Sequence, residues 1–367
     1  MKAVIVGGGI GGLAAAAAFH QRGWQLEVLE QAPEFTEVGA GLAVQPNGLR
    51  ALDALGLGDV LRSGGTAAPL AGVRSADGRW MVRNDVARLE RRFGPWVTVH
   101  RAALVDLLRT AVPARALRPG TEVREVRADG TVLHSSGTSE ADLVVGADGL
   151  HSVTRRSVWP HLPGPRYVGY TTWRLIAPPR HVEGSVETWG RGVRFGHAPL
   201  PDRRVYCYLM ANAPEGSRTE LAQLRERFAG WHDPVPALLD SADSDAVLQH
   251  DTYELPALPT YVRERVALLG DAAHAMTPSL GQGACQALED AVTLAAMVDE
   301  LGVEAGLTAY DRVRVPRTQM IARRSRQAGS PAHWSSRPVT VLRDAVLPLL
   351  PRLVFERSVA PAYTWGL

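Results

Sequence analysis

The chain begins with a short apolar run, Lys2 to Val6, that passes through a cluster of glycines into an alanine-rich stretch ending at Phe19. The β-branched run reads as a buried parallel strand. The stretch after it reads as a helix over about residues 11–22. A second strand is expected from Leu26 to Leu29, closing at Glu30. Further on, the pattern predicts a helix from Gly48 to Leu55 stopped by Gly56, irregular strands over 69–83, and a helix from Ala102 to Thr110. Strands near 121–127 and 131–135 precede Asp142-Leu143-Val144-Val145-Gly146, whose apolar run suits a return to the first sheet.

From Tyr167 to Ala211 the pattern changes to strand-like runs at 167–177, 185–190, 192–198 and 204–211. They are broken by Pro178-Pro179, Gly190 and Pro199-Leu200-Pro201-Asp202, and they predict an antiparallel sheet forming one wall of a pocket. Helices at about 217–230 and 235–241 lead to a strand at 247–254. The run Arg265-Val266-Ala267-Leu268-Leu269-Gly270-Asp271 reads as a buried strand ending in an acid. Helices at about 283–300, 304–327 and 338–349 finish the chain, and no internal repeat interrupts it.

The turn after the first strand carries the chemistry. Gly7, Gly9 and Gly12 satisfy G-x-G-x-x-G between a strand and a helix, which serves tight turning, close approach of backbone to a pyrophosphate, and close helix–strand packing. The helix amino end, with its free N–H groups and positive dipole, favours phosphate. Glu30, eighteen residues past Gly12, stands where a carboxylate accepts hydrogen bonds from an adenosine ribose. Two more segments, Gly146-Ala147-Asp148-Gly149 and Gly270-Asp271-Ala272-Ala273-His274, lie far along the chain. Contacts so widely spaced suit one long dinucleotide, and FAD is the ligand expected. Glycines flanking Ala40, including Gly41, let backbone lie flat against something planar.

Composition narrows the picture. With 367 residues, 46% hydrophobic and a net charge of +2, the chain has ample core and offers no electrostatic case for nucleic acid. Cys207 and Cys285 are too few for a disulfide framework, and no Cys/His cluster has metal-ligand spacing, so a reducing cytoplasm and no metal are expected. Only Lys2 supplies charge ahead of the first apolar run, which argues against a secretory leader. No run approaches the ~20 apolar residues needed to span a bilayer. The arginine-rich segment from Arg312 to Arg357 reads as solvated helix faces. Val341 to Phe355, broken by Pro348 and Pro351, fits a docked cap or dimer contact better than membrane binding.

The glycine fingerprint with Glu30, the segment Asp148-Gly149-Leu150-His151-Ser152-Val153-Thr154-Arg155, and Gly270-Asp271-Ala272-Ala273-His274-Ala275-Met276-Thr277-Pro278 followed by Gly281-Gln282-Gly283 together resemble the single-component FAD-dependent aromatic hydroxylases. This is the para-hydroxybenzoate hydroxylase-like group, nearest its 3-hydroxybenzoate 6-hydroxylase and urate hydroxylase branch. The resemblance runs from Met1 to about Ala328. It implies an α/β fold, in which a Rossmann-like FAD-binding parallel sheet carries an inserted antiparallel-sheet substrate domain and C-terminal helices. The expected division is a discontinuous FAD-binding domain of residues 1–70, 97–165 and 262–328, a substrate-binding domain of 71–96 and 166–261, and a helical tail of 329–367.

The resemblance further implies that Asp271 binds the ribityl chain, Arg101 the FAD phosphate side, and Asp148-Gly149 both FAD and NAD(P)H. The helix following Pro278 through Gly283 would face the flavin pyrimidine, where negative charge appears on reduction. Ser279 and Cys285 replace the asparagines that relatives often carry, and Cys285 reads as a packed residue. The implied reaction is hydride transfer from NADH or NADPH to FAD, O2 addition to give a C4a-hydroperoxide, and oxygen transfer to a small aromatic or heteroaromatic substrate. The protein would act as a monomer or homodimer. Along the antiparallel sheet, Trp173, Arg174, Phe195, His197, Tyr206 and Tyr208 are the candidate substrate contacts, with His197 the candidate base and Arg174 a candidate carboxylate clamp. An FAD-dependent epoxidase or oxidase tailoring a larger natural-product scaffold is the alternative reading, and a non-enzymatic flavin-binding protein is disfavoured.

Overall fold

The computed structural model describes residues 1–35, 41–67, 70–350 and 352–366, with side chains of 352–355 excepted. Gly39 and Ala40, read as part of a flat backbone segment, lie outside the described residues. Strand Lys2–Val6 sits inside a six-stranded sheet, flanked by Gln25–Leu29 on one side and Leu143–Gly146 on the other, all parallel. Val266–Leu268 extends the sheet in parallel beyond Leu143–Gly146, and Val262–Arg263 closes that edge as an antiparallel hairpin partner. Ala3 to Val6, Leu143 to Val145 and Val266 to Leu268 are buried throughout, with helix Ile10–His20 on the sheet and helices Arg101–Thr110 and Gly283–Leu301 packed against that helix. All five alanines from Ala14 to Ala18 are fully buried, and their small size is what lets helix Ile10–His20 lie close against helix Gly283–Leu301.

Two glycines make the first turn possible. Gly7 has φ of +100°, and a Cβ there would lie 2.5 Å from the Ala147 carbonyl oxygen. At Gly12 a Cβ would come within 2.0 Å of the Gly7 carbonyl oxygen, so any side chain would push the helix off the strand.

The second layer is a seven-stranded sheet in the order 248–254, 166–177, 205–212, 193–199, 185–189, 71–75, 80–84. Its neighbours are antiparallel except Ser185–Trp189 against Ala71–Ser75, which run parallel. The hairpin joining Val193–Pro199 to Val205–Asn212 pairs Phe195 with Leu209 and Ala198 with Tyr206. Odd-numbered residues of these strands therefore share one face, and even-numbered residues the other. Trp173, Leu175, Val193, Phe195, Val205, Cys207 and Leu209 bury the odd face under helices Leu221–Phe228 and Val235–Asp240. The even face looks toward the parallel sheet.

The C-terminal segment docks as a cap. Turn Leu347–Leu349 packs on strand Trp80–Asn84, and Tyr363 meets the rings of Phe93 and Trp96 at 5.6 and 6.5 Å. Among the described residues no helix is long and apolar enough to cross a membrane, and no group of three or more His, Cys, Asp or Glu could hold a metal ion.

Candidate functional site

A cleft of about 2100 Å³ lies between the two sheets, and all three separated segments line it. Gly7, Gly9, Glu30, Asp148, Gly149, Asp271, Gly281 and Gly283 reach it from one side, with Gly41, Arg101 and Pro278. Gly12 packs behind the loop.

Several features match this half of the cleft to FAD. A Cβ built on Gly9 meets nothing within 4 Å, so that backbone opens into the cleft with space for a phosphate. Glu30 accepts hydrogen bonds from the Gly8 N–H at 2.6 Å and the Ala32 N–H at 2.8 Å. These fix the carboxylate at the strand end and still leave lone pairs for a ribose. Arg101 is held next to Asp271. Burial lowers the Arg101 pKa and the Asp271 carboxylate opposes that shift, so the pair sets a positive and a negative group side by side on the cleft wall. Pro278–Leu280 forms a single turn, Gly281 turns with φ of +62°, and helix Gly283–Leu301 then presents its amino end to the cleft.

Three further residues, Asp148, Arg155 and Asp290, brace these segments. Asp148 accepts from the Ser152 hydroxyl at 2.6 Å and from the Thr154 N–H and hydroxyl at 2.9 and 3.0 Å, so its carboxylate holds its own loop and starts the helix Val153–Val158. Buried Arg155 donates to the carbonyls of Leu150 at 2.6 Å and Ala272 at 2.7 Å, joining the second motif to the third. Behind the third, Asp290 accepts from the Gly270 N–H at 2.9 Å, meets His274 Nε2 at 2.5 Å, and pairs with Arg314 Nε at 2.6 Å. Cys285 is fully buried beside Gly48, and burial pushes its thiol up to about 12, which leaves it a packed, unreactive group.

The opposite wall is the even face of the seven-stranded sheet. Arg174, Tyr206 and Tyr208 line the cleft there, accompanied by Glu187, Trp189 and Met210. The Tyr206 side chain lies against Gly41 and the Tyr208 ring against Gly196, since a Cβ on these glycines would come within 2.4 Å and 2.1 Å of ring carbons. Tyr208 donates its hydroxyl to Glu187 Oε1 at 2.8 Å, and Trp189 Nε1 donates to Glu187 Oε2 at 2.6 Å. Burial and the adjacent Glu187 carboxylate hold the Tyr208 phenol well above its ordinary range. Burial likewise raises Tyr206, partly offset by Arg174, which hydrogen-bonds to it. Under this wall Arg194 is 1% exposed. It reaches Glu187 Oε1 at 3.5 Å and donates to Ser279 Oγ at 3.1 Å, so it bridges the substrate-side sheet to the Pro278–Leu280 turn.

Trp173, Phe195 and His197 are not on this wall. The hairpin register sends them to the odd face, where Trp173 and Phe195 join the core beneath the two helices. His197 is buried beside Phe195, and desolvation lowers its pKa to about 4, leaving it neutral and out of reach of the cleft. His197→Leu is therefore expected to keep coupled turnover within about twofold of the parent, measured as product formed per NAD(P)H consumed. Glu187 and Arg194 were not singled out from the sequence. The available signal was that each is the one Asp, Glu, Lys or Arg of its short strand, Ser185–Trp189 and Val193–Pro199.

Residues 1–325 match the FAD binding domain family. The chain is 35% identical over 365 residues to aurachin C monooxygenase/isomerase of Stigmatella aurantiaca, covering 95% of this chain and 94% of that protein. It is 37% identical over 361 residues to 3-amino-4-hydroxybenzoate 2-monooxygenase of Streptomyces cremeus, covering 94% and 91%. Its fold superposes on the crystal structure of Klebsiella pneumoniae HpxO complexed with FAD and uric acid with a TM-score of 0.90 and 30% identity, covering 99% of this chain and 97% of that one.

Proposed function

The chain belongs to the FAD binding domain family and is an NAD(P)H-dependent FAD monooxygenase of small aromatic or heteroaromatic substrates, and we propose that Tyr208 and Glu187 form its proton-accepting pair. Its architecture is that of the para-hydroxybenzoate hydroxylase-like flavin hydroxylases. FAD, when bound, supplies the redox chemistry that activates O2 with electrons from NAD(P)H. The observation that carries the proposal is the facing of two walls across one cleft, with the glycine and Asp271 segments on one side and the Tyr208–Glu187 pair on the other.

On the first wall, backbone at Gly7 and Gly9 receives the pyrophosphate, Glu30 the adenosine ribose, and Asp271 with Arg101 the ribityl and phosphate side. The amino end of helix Gly283–Leu301, entered through Pro278 and Gly281, stabilises negative charge on the ring system. On the second wall, Tyr206 and Trp189 bound the substrate ring. Arg174 supplies a positive charge for an acidic substituent. A ring hydroxyl on the substrate gives its proton to Tyr208 Oη while the Tyr208 proton moves to Glu187 Oε1. Because the phenol titrates far above neutrality, it stays protonated at rest and acts by relay. A deprotonated ring oxygen makes the ring carbons more electron-rich.

Tyr208→Phe and Glu187→Gln are each expected to lower hydroxylation by about 10²- to 10⁴-fold with bound FAD retained. NAD(P)H oxidation should then continue with hydrogen peroxide as its product. Coupled hydroxylation within twofold of the parent in both variants would remove the pair from the mechanism.

A further inference from the structure

Helix Arg337–Val346 and the turn Leu347–Leu349 carry apolar residues on the outside. Of the eleven large hydrophobic side chains exposed among the described residues, seven fall between Trp334 and Leu350. Val341, Leu342 and Leu349 are the most open of these, at 61%, 64% and 80%. The side turned inward is polar. Thr340 and Arg343 are buried there, and Arg343 donates to the Pro331 and Gly190 carbonyls at 2.8 and 3.1 Å and pairs with Asp344 at 2.7 Å. A surface helix in water ordinarily turns its apolar stripe to the core, so this reversed seating leaves an apolar patch that water does not favour.

The charges around the patch point to what covers it. Arg191 donates to the Ser335 carbonyl at 3.2 Å beside the start of the helix, Arg337 is exposed in its first turn, and Arg83 is exposed on strand Trp80–Asn84, on which the turn packs. None of the three pairs with a carboxylate among the described residues. Asp344, the one acid between Trp334 and Leu350, is already held by Arg343. A second copy seated here about a two-fold axis would bring these like charges together, whereas anionic headgroups would pair them. The projecting Leu349 would need a matching pocket on a rigid partner, but none in a fluid acyl layer. We infer that helix Arg337–Val346 and the turn after it seat the protein on an anionic lipid surface, with the exposed leucines at the acyl boundary and the arginines at the headgroups. This reverses the order expected from the sequence, in which a dimer contact stands ahead of a membrane. Leu347, Pro348 and Leu350 also line the cleft, so the seating holds one side of the cleft at the lipid surface.

Flotation of the FAD-loaded protein with lipid vesicles tests it, comparing phosphatidylcholine alone with phosphatidylcholine containing about 30% phosphatidylglycerol. The protein is expected to float with the mixed vesicles and to bind phosphatidylcholine alone on the order of 10-fold more weakly. The double variant Leu342→Glu, Leu349→Glu alters two exposed positions, so its FAD content and Tm should match the parent while vesicle binding falls by about 100-fold. Arg191→Gln combined with Arg337→Gln should remove most of the preference for the mixed vesicles and leave binding to phosphatidylcholine unchanged. Parent protein that floats with neither vesicle, or binds both equally, overturns the inference. So does a double-glutamate variant that floats as the parent does. A concentration-dependent dimer in sedimentation velocity, abolished by the glutamates and accompanied by no vesicle binding, overturns it as well and assigns the patch to a second copy.

Discussion

Asp271→Ala protein is expected to purify without its yellow colour. Asp271 ends the apolar run 266–269, one residue past a turn at Gly270 that only a positive φ of 57° permits, and it lines the cleft next to Arg101. A hydrogen bond to a charged carboxylate contributes about 1.5–3 kcal/mol, so its loss alone weakens FAD on the order of 10- to 100-fold. The variant also strips the buried Arg101 guanidinium of its neighbouring negative charge, which adds to the loss. Asp271→Asn keeps the shape and one acceptor, and should fall between parent and alanine. The checks are flavin absorbance relative to protein after gel filtration, and FAD titration of the apoprotein. Parent-like FAD affinity in Asp271→Ala would remove this carboxylate from the cofactor site.

The second large effect lies behind that turn. Arg314 is fully buried and donates Nε to Asp290 at 2.6 Å, Nη1 to Glu289, and Nη2 to the Gln286 side chain at 2.9 Å. Glu289 is also held by Arg317 and by Asn47, the latter at 2.7 Å. The Arg314 guanidinium is the largest influence opposing desolvation at Asp290 and keeps that carboxyl well below the usual carboxylate range. Removing it in Arg314→Ala leaves two buried carboxylates short of a cation, a change that costs about 3–5 kcal/mol and lowers Tm on the order of 10 °C. Because Asp290 also holds the Gly270 N–H, the variant should lose FAD affinity together with stability. Arg314→Lys restores the charge but not the planar fork, and is expected to recover only part of either.

The pH dependence follows with a definite sign. The folded-state pKa of Asp290 is depressed, so its contribution is fully present above the unfolded carboxyl value of about 3.9. That contribution is lost as pH falls below it. Acid unfolding of the parent should steepen below about pH 4, and Arg314→Ala should unfold at a higher pH. Thermal melts across that range, with and without added FAD, measure both.

The opening strand, helix and second strand were legible because each is fixed by local pattern, an apolar run and then glycines at set spacing. Helices Gly283–Leu301 and Val303–Gly329 were legible for the same reason. Local pattern failed where pairing decides the outcome. Gly41 was read only as one of the glycines that let backbone lie flat and Leu42 to Val44 were given no element, yet Gly41–Val44 forms a strand because Val97–His100 lies antiparallel to it. Helix Val86–Phe93 was missed although Val86, Leu89 and Phe93 share its buried face and Asp85 caps it by accepting from the Arg88 N–H.

The substrate wall shows the same limit at the level of side chains. Alternation places Phe195 with His197, and Tyr206 with Tyr208, but only the pairing of residues 195 and 209 shows that the two sets face opposite ways. Glu187 and Arg194 gain meaning only once strands Ser185–Trp189 and Val193–Pro199 stand side by side, with Trp189 paired to Arg194.

Oxygen incorporation tests the central claim most directly. Purified holoprotein would be supplied with NAD(P)H, a hydroxylated aromatic substrate and isotopically labelled dioxygen, and the product analysed by mass spectrometry. The account predicts one labelled oxygen atom in each product molecule and one NAD(P)H consumed per product, with both lost in Asp271→Ala. Product oxygen drawn from water, or oxidation of the substrate with no oxygen gained, would contradict it.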